Sequence, residues 1–189
     1  MPTAIAAADF DGNGGIDLAV SADSFNLWIL FNDGNGVFEG GGSDQGVATG
    51  SSSEGLAAAD LDGDGDVDIA TFNDSTDDVS VLLNNGNGSF AAPRRYPGTE
   101  NPVDITAADL NGDGDIDLAV ADGVTNDVVR LINQGEGQAR FVESQTYRIG
   151  VTPNAITAGD LDRDGDLDLA LVPGDPGAPS VLYNGEFPP

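Results

Sequence analysis

The sequence predicts an all-β fold: a β-propeller of about four four-stranded blades. Three observations carry that expectation. One acidic segment recurs four times at a spacing near 50 residues. Short apolar runs of strand type alternate with clusters of Gly, Asn and Asp. No convincing amphipathic helical period occurs along the 189 residues.

The repeat sets the frame. Four segments align without gaps: AADFDGNGGIDLA from Ala7, AADLDGDGDVDIA from Ala58, AADLNGDGDIDLA from Ala107 and AGDLDRDGDLDLA from Ala158. Their first acidic residues, Asp9, Asp60, Asp109 and Asp160, stand 51, 49 and 51 residues apart. That period matches one propeller blade or one solenoid unit.

Each unit unfolds in the same order. A short apolar lead-in comes first (Ala4–Ala8, Leu56–Ala59, Val103–Ala108, Ala155–Ala158), followed by the acidic loop. A strand-like run such as Ile116-Asp117-Leu118-Ala119-Val120 leaves the loop. A polar turn leads to a second β-rich run: Leu27–Phe31, Val79–Leu83, Val128–Ile132 and Val181–Tyr183. A turn of Asn and Gly follows, as in Asn84-Asn85-Gly86-Asn87-Gly88, and Phe38, Phe90 or Phe141 then opens a fourth extended stretch. The expected organisation is a single repeat domain over 1–189, with blades at 1–55, 56–102, 103–153 and 154–189. The last is expected to lack its outer strand, and the Gly- and Ser-rich linker Glu39–Gly55 to hold only a weak strand.

The acidic loop carries the chemistry. In the second copy, Asp60 to Asp68, carboxylates occupy positions one, three, five, seven and nine, with Gly65 at position six. Calcium takes six to eight oxygen ligands, and a short loop supplies them when alternate residues point inward. A glycine at position six allows the turn that aims the next carbonyl at the ion. The expected ligands are the side chains of Asp60, Asp62, Asp64 and Asp68 with the Asp66 carbonyl. The first copy offers Asp9, Asp11, Asn13 and Asp17 with the Gly15 carbonyl. The third offers Asp109, Asn111, Asp113 and Asp117 with the Asp115 carbonyl. The fourth offers Asp160, Asp162, Asp164 and Asp168 with the Asp166 carbonyl. An all-oxygen set disfavours zinc and copper. An amide replaces one carboxylate in the first and third copies, so the second and fourth are expected to bind calcium more tightly. Position twelve is Val20, Thr71, Val120 or Leu171, where an EF-hand would carry a bidentate Glu. Solvated Asp-Gly turns are the bland reading. Four copies in one register, each with glycine at position six (Gly14, Gly65, Gly114, Gly165), argue against it.

The motif Ala-Asp-Leu-Asn-Gly-Asp-Gly-Asp-Ile-Asp-Leu-Ala-Val, from Ala108 to Val120, resembles the FG-GAP or VCBS-type repeat, as does the Val-Leu-Leu-Asn-Asn-Gly-Asn-Gly-Ser-Phe run from Val81. That family includes the integrin α-subunit propeller and lectin-like propellers of fungi and bacteria. The resemblance implies calcium in the hairpin between the first and second strands of each blade. It also implies work outside the cell in adhesion, in glycan binding or as an accessory domain. Family propellers usually have about seven blades. A chain of about four leaves three closures open: a four-bladed ring, pairing with a second copy, or a place within a larger propeller.

Composition narrows the partners. There are 33 acidic and 6 basic residues, a net charge of −27, and all six basic residues are arginine. Such a surface repels phosphate backbones and anionic membranes, so nucleic acid and membrane insertion are not expected. Seventeen of the acidic residues lie in the four loops, and four divalent ions would bring −27 only to −19. The remaining acidity looks like adaptation to high salt or to a marine or extracellular setting, with compositional drift in a repeat of limited alphabet as the bland alternative. Cysteine is absent, so no disulfide staples the fold. Met1-Pro2-Thr3 opens without a visible signal peptide.

Enzymatic activity is not expected. Nearly every clustered carboxylate pair falls within the metal loops, His and Lys are absent, and no nucleophile elbow or phosphate loop occurs. Trp28, Tyr96, Tyr147 and Tyr183 are candidates for stacking on sugars, with packing between blades the more ordinary role. Arg94-Arg95 is the one basic pair, expected in an exposed loop. The leading expectation is a calcium-stabilised recognition module for glycans or proteins outside the cell or at its surface. The alternatives are an assembly subunit of a surface or filamentous structure, and an accessory domain of a secreted enzyme.

Overall fold

A computed structural model gives the architecture and describes residues 2–22, 26–40, 46–49, 54–135, 137–174 and 177–184. Sixteen strands form four antiparallel sheets in chain order, and the described residues contain no α-helix. The first sheet holds β1 (Pro2–Ala8), β2 (Asp17–Ala22), β3 (Asn26–Asn32) and β4 (Phe38–Gly40), with β5 (Gly46–Ala48) also paired to β3. The second holds β6 (Gly55–Ala59), β7 (Asp68–Asn73), β8 (Asp78–Leu82) and β9 (Arg94–Pro97). The third holds β10 (Pro102–Ala108), β11 (Asp117–Asp122), β12 (Asp127–Asn133) and β13 (Phe141–Arg148). The fourth holds β14 (Pro153–Gly159), β15 (Asp168–Pro173) and β16 (Ser180–Leu182).

Each sheet is an up-and-down meander, the blade pattern the repeat predicts. Small residues make the inner strands: Ala6, Ala7 and Ala8 pair with Ala19, Leu18 and Asp17, and the later blades repeat this register. Three differences from the expected elements are local. Strands β6, β10 and β14 each start one residue earlier than the expected blade boundary. Phe90 forms an isolated bridge with Asn84, and the outer strand begins only at Arg94, after Pro93. The linker strand is real but split, with β4 on the C-terminal half of β3 and β5 on its N-terminal half.

The inner strands β1, β6, β10 and β14 lie side by side in succession. Three hydrophobic clusters fill the gaps between neighbouring blades. Phe10, Ile29, Ile69 and Leu82 join the first blade to the second. Leu61, Val81, Ile105 and Phe141 join the second to the third. Leu110, Ala121, Ile156 and Leu171 join the third to the fourth. Among the described residues no cluster joins the fourth blade to the first, so the four blades form an open arc.

Meander topology places the acidic loops. The loop between the first two strands and the turn after the third strand both lie at one end of each blade. The turn of one blade reaches over the loop of the blade before it. Asn84 Nδ2 donates to the Phe10 carbonyl at 2.8 Å, and Asn133 Nδ2 donates to the Leu61 carbonyl at 2.8 Å.

Candidate metal centre

The loop geometry begins at position one. Asp9 accepts the amides of Gly12 and Gly14, Asp60 those of Gly63 and Gly65, and Asp109 those of Gly112 and Gly114. Asp160 accepts the amide of Arg163. These bonds curl the chain, and the curl needs left-handed backbone at positions four and six. Glycine supplies it at position six, with φ of 86°, 97°, 93° and 100° at Gly14, Gly65, Gly114 and Gly165. At position four the fourth loop departs from the others, with Arg163 at φ 68°.

Position nine anchors the loop from below. Asp17, Asp68, Asp117 and Asp168 show no exposed surface. One oxygen of each accepts the amide of the position-two residue, and the other accepts the amide of an Asn at or two residues beyond the end of the third strand. For Asp68 these donors are Leu61 at 2.9 Å and Asn84 at 2.8 Å. Asp17 joins Phe10 to Asn32, Asp117 joins Leu110 to Asn133, and Asp168 joins Leu161 to Asn184. Burial pushes the Asp68 and Asp117 carboxyls up to about 6 against the pull of those amides.

The carboxylates of positions one, three and nine converge. Asp9, Asp11 and Asp17 bring oxygens within 4.8 Å of one another, as do Asp60, Asp62 and Asp68, and Asp160, Asp162 and Asp168. The triads do not include the position-five carboxylates. Asp64 accepts the Asp66 amide at 2.9 Å, and Asp164 accepts the Asp166 amide at 2.9 Å. Asn13 does the same for Gly15 in the first loop. In the third loop Asp109, Asp113 and Asp117 keep their places, but Asn111 stands at position three and donates from Nδ2 to Asp113. That loop shows no acidic triad among the described residues.

Whether these residues suit a cation is tested by their unmet demands. Asp62 Oδ1 is buried and has no hydrogen-bond donor. Desolvation, then the neighbouring Asp64 charge, pushes the Asp62 carboxyl above its ordinary range. Desolvation and the charges of Asp164 and Asp168 raise Asp162 in the same direction. An orphaned carboxylate oxygen facing two further carboxylates is costly unless a cation or proton compensates it. The donor set is all oxygen and negatively charged, which fits a hard divalent ion such as calcium.

Of the other groups the sequence singled out, the arginine pair stands differently from the expectation, and Tyr96 and Tyr147 take the inter-blade role given as the more ordinary one. Arg94 and Arg95 lie on β9, not in a loop. Arg94 donates to the Gln138 carbonyl of the next blade, and Arg95 pairs with Asp78 at 3.3 Å. Tyr96 donates to the Ala139 carbonyl at 2.8 Å and meets Phe141 edge to face, so it is an inter-blade residue. Tyr147 packs against the cluster between the third and fourth blades and lies under Arg130. Trp28 is half-buried, and Tyr183 is 40% exposed. Two structural aspartates carried no sequence signal. Asp122 accepts the amides of Glu100, Asn101, Val124 and Thr125, and Asp104 accepts the Ile156 amide of the next blade.

A family model described as FG-GAP-like repeat matches residues 9–71, 60–120 and 109–171, each match running from one acidic loop through the next. The chain belongs to the FG-GAP-like repeat family. No protein of curated function matches it significantly by sequence. Solved structures similar to this FG-GAP-like chain are propeller-type domains. One is BBS1N in complex with ARL6DN, at 15% identity and a TM-score of 0.63, covering 92% of this chain and 44% of that one. Another is an Agrocybe aegerita lectin described for recognition of non-reducing terminal N-acetylglucosamine, at 23% identity and a TM-score of 0.60, covering 94% of this chain and 51% of that one. A third is the Photorhabdus luminescens Tc holotoxin pore, at 23% identity and a TM-score of 0.58, covering 94% of this chain and 9% of that one. The FG-GAP-like chain thus spans about half of the first two and a small part of the third. At these identities the likeness concerns the fold.

Proposed function

We propose that this FG-GAP-like propeller segment is a calcium-binding, non-enzymatic recognition or assembly module that works outside the cell. The observation that carries it is Asp62: a buried carboxylate oxygen without a donor, set among two further carboxylates in a loop the chain repeats. Asp60, Asp62 and Asp68 would hold the ion in the second loop, with Asp9, Asp11 and Asp17 and with Asp160, Asp162 and Asp168 as counterparts. The bound cation supplies positive charge where the loop concentrates negative charge. The chain's own part is to hold the triads open, through the position-one curl and the buried position-nine anchor.

Compartment follows from affinity. Extracellular modules built from such loops bind calcium at roughly 10⁻⁴ to 10⁻³ M, which external calcium saturates. Binding to the folded state alone stabilises it by mass action. Each loop joins the first two strands of its blade, so the loops fasten hairpins and leave recognition to the rest of the surface. The lectin neighbour supports glycans as a ligand class, and the BBS1N–ARL6DN complex and the toxin pore among the neighbours support protein partners or assembly.

The test is calorimetric. Titrating the chelated protein with calcium should show saturable binding and raise the melting temperature, and chelation should reverse both. A melting curve indifferent to calcium and chelator sinks the reading. A glycan array in calcium separates recognition from assembly, since a purely assembling subunit binds no glycan.

A further inference from the structure

The two ends of the arc are the two halves of one interface that the molecule already builds three times. Each internal interface uses the same positions. Facing the next blade, Phe10, Leu61 and Leu110 stand at position two of their loops and are 1%, 1% and 0% exposed. The corresponding Leu161 of the fourth blade is 50% exposed. Phe72 and Ala121 are buried against the following blade, whereas the corresponding Val172 is 52% exposed. Ile29 and Val81 are buried likewise, and their counterpart Val181 is 36% exposed.

The first blade shows the converse set. Ile105 and Ile156, four residues before their loops, are 4% and 6% exposed against the preceding blade, while the corresponding Ile5 is 62% exposed. Val67, Ile116 and Leu167, at position eight, pack into the three inter-blade clusters, while Ile16 is 54% exposed. Phe90 meets Phe10 edge to face and Phe141 is buried, while Phe38 is 42% exposed. The polar contacts are divided in the same way. Asn84 and Asn133 reach the loop before them, and Asn32 is their counterpart in the first blade. Gly137 lies over the Asp62 backbone, so the following blade roofs the second loop. Asp160 and Asp162 of the fourth loop are exposed where Asp9, Asp11, Asp60 and Asp62 are half-buried.

We propose that the fourth-blade end docks the first-blade end of a second copy of this chain, head to tail. Three interfaces within the chain show what covers each of these positions, and the second copy carries that covering surface. Each junction joins unlike ends, and two copies satisfy both ends at once by closing a two-fold ring in which the first-blade end of each copy meets the fourth-blade end of the other. Leu161 would seat beside Ile16 of the second copy, and the Asn32 turn would roof the fourth loop. This does not rest on the calcium reading, although calcium lowers the repulsion between two chains of −27.

Sedimentation velocity on the chain in calcium should show a species with the mass of two chains. Leu161→Asp and Ile16→Asp each place a charge in the contact and should weaken association at least about tenfold. Both sites are exposed in one chain, so the variants should keep the wild-type melting temperature of the monomer. An equimolar mixture of the two variants should form a heterodimer, because one junction, Leu161 of one chain with Ile16 of the other, stays intact. A wild-type chain that remains monomeric overturns the proposal and leaves the ends to other blades. So does a dimer unaffected by both variants, or one that the mixture fails to restore, as a like-with-like contact would require. A melting temperature insensitive to calcium would instead count against the metal reading alone.

Discussion

Single residues in the loops carry opposing demands of backbone, burial and charge. Arg163 occupies position four at φ 68°, where Gly12, Gly63 and Gly112 hold φ of 73°, 77° and 77°. A side chain in left-handed backbone costs roughly 1–3 kcal/mol, partly offset by the freedom glycine adds to the unfolded chain. Arg163→Gly should therefore stabilise by about 1 kcal/mol, read as a raised urea midpoint at high salt, where the lost charge matters least. Asp122 points the other way. Burial alone would raise its pKa, but four backbone amides outweigh burial and hold it below 3.8. Asp122→Ala strands those amides and should cost about 2–3 kcal/mol in the same measurement. Two of the position-nine residues, Asp68 and Asp117, give the chelated protein an unusual pH response. Asp68 and Asp117 titrate at about 6 when folded and at 3.8 ordinarily. The folded state holds these protons more tightly, so their stabilising contribution is complete below the unfolded value and lost as pH rises through about 6. Asp122, whose folded value is depressed, loses its contribution only at pH below that window. In chelator the protein should melt higher at about pH 5 than at about pH 7.5, and calcium, which selects the ionised form, should reverse the order. Equal melting temperatures at the two pH values in chelator would contradict the burial of these carboxyls.

At the scale of the loop and the blade, the structure separates two copies that the sequence treated alike. Asn13 stands at position five, outside the triad of its loop, whereas Asn111 stands at position three and removes a triad member. The third loop should bind calcium most weakly, and Asn111→Asp should tighten it by about tenfold in a calcium titration. No change in the weakest site would show that position three is not a ligand. The repeat, the strands and the hairpin order were legible because each rests on local spacing: the 50-residue period, the alternation after each loop, the Gly at position six. The position-one, -three and -nine aspartates were legible for the same reason. What joins the blades was not. Asn84 read as one residue of an Asn-Gly turn, yet its amide serves the Phe10 carbonyl 74 positions earlier. Arg94 read as an exposed loop residue, yet it donates to the Gln138 carbonyl of the next blade, and Tyr96, whose ordinary role was packing between blades, shows its partner, the Ala139 carbonyl, only in the structure. Asp104 bonds the Ile156 amide 52 positions on. Bonds of such reach leave no mark on local periodicity.

The molecule as a whole sets folding against charge. Among the described residues its apolar contacts are divided among three inter-blade clusters, while 33 acidic residues of the chain face only 6 basic ones. Among the described residues the ion pairs are sparse. Arg95 meets Asp78 at 3.3 Å, and Arg148 meets Asp127 at 3.6 Å with its side chain 82% exposed. Exposed pairs of this kind contribute about 0–1 kcal/mol, so they do not offset the repulsion. Two other agents would. On the proposed reading divalent ions would act at the loops, where charges are close and partly desolvated, and four of them would leave −19. Mobile salt acts on the rest, because the screening length falls from about 10 Å at 0.1 M to about 3 Å at 1 M. The two agents overlap only in part, and that fixes the expected pattern. In chelator the melting temperature should climb steeply as sodium chloride rises from about 0.1 to 1 M. In saturating calcium the climb should persist with a shallower slope, since the loop charges are already met and the charges outside them are not. A climb that vanished in calcium would place all the relevant repulsion inside the loops. A climb unchanged by calcium would mean that the loops contribute little to it, and the view of them as the chief points of charge convergence would fail.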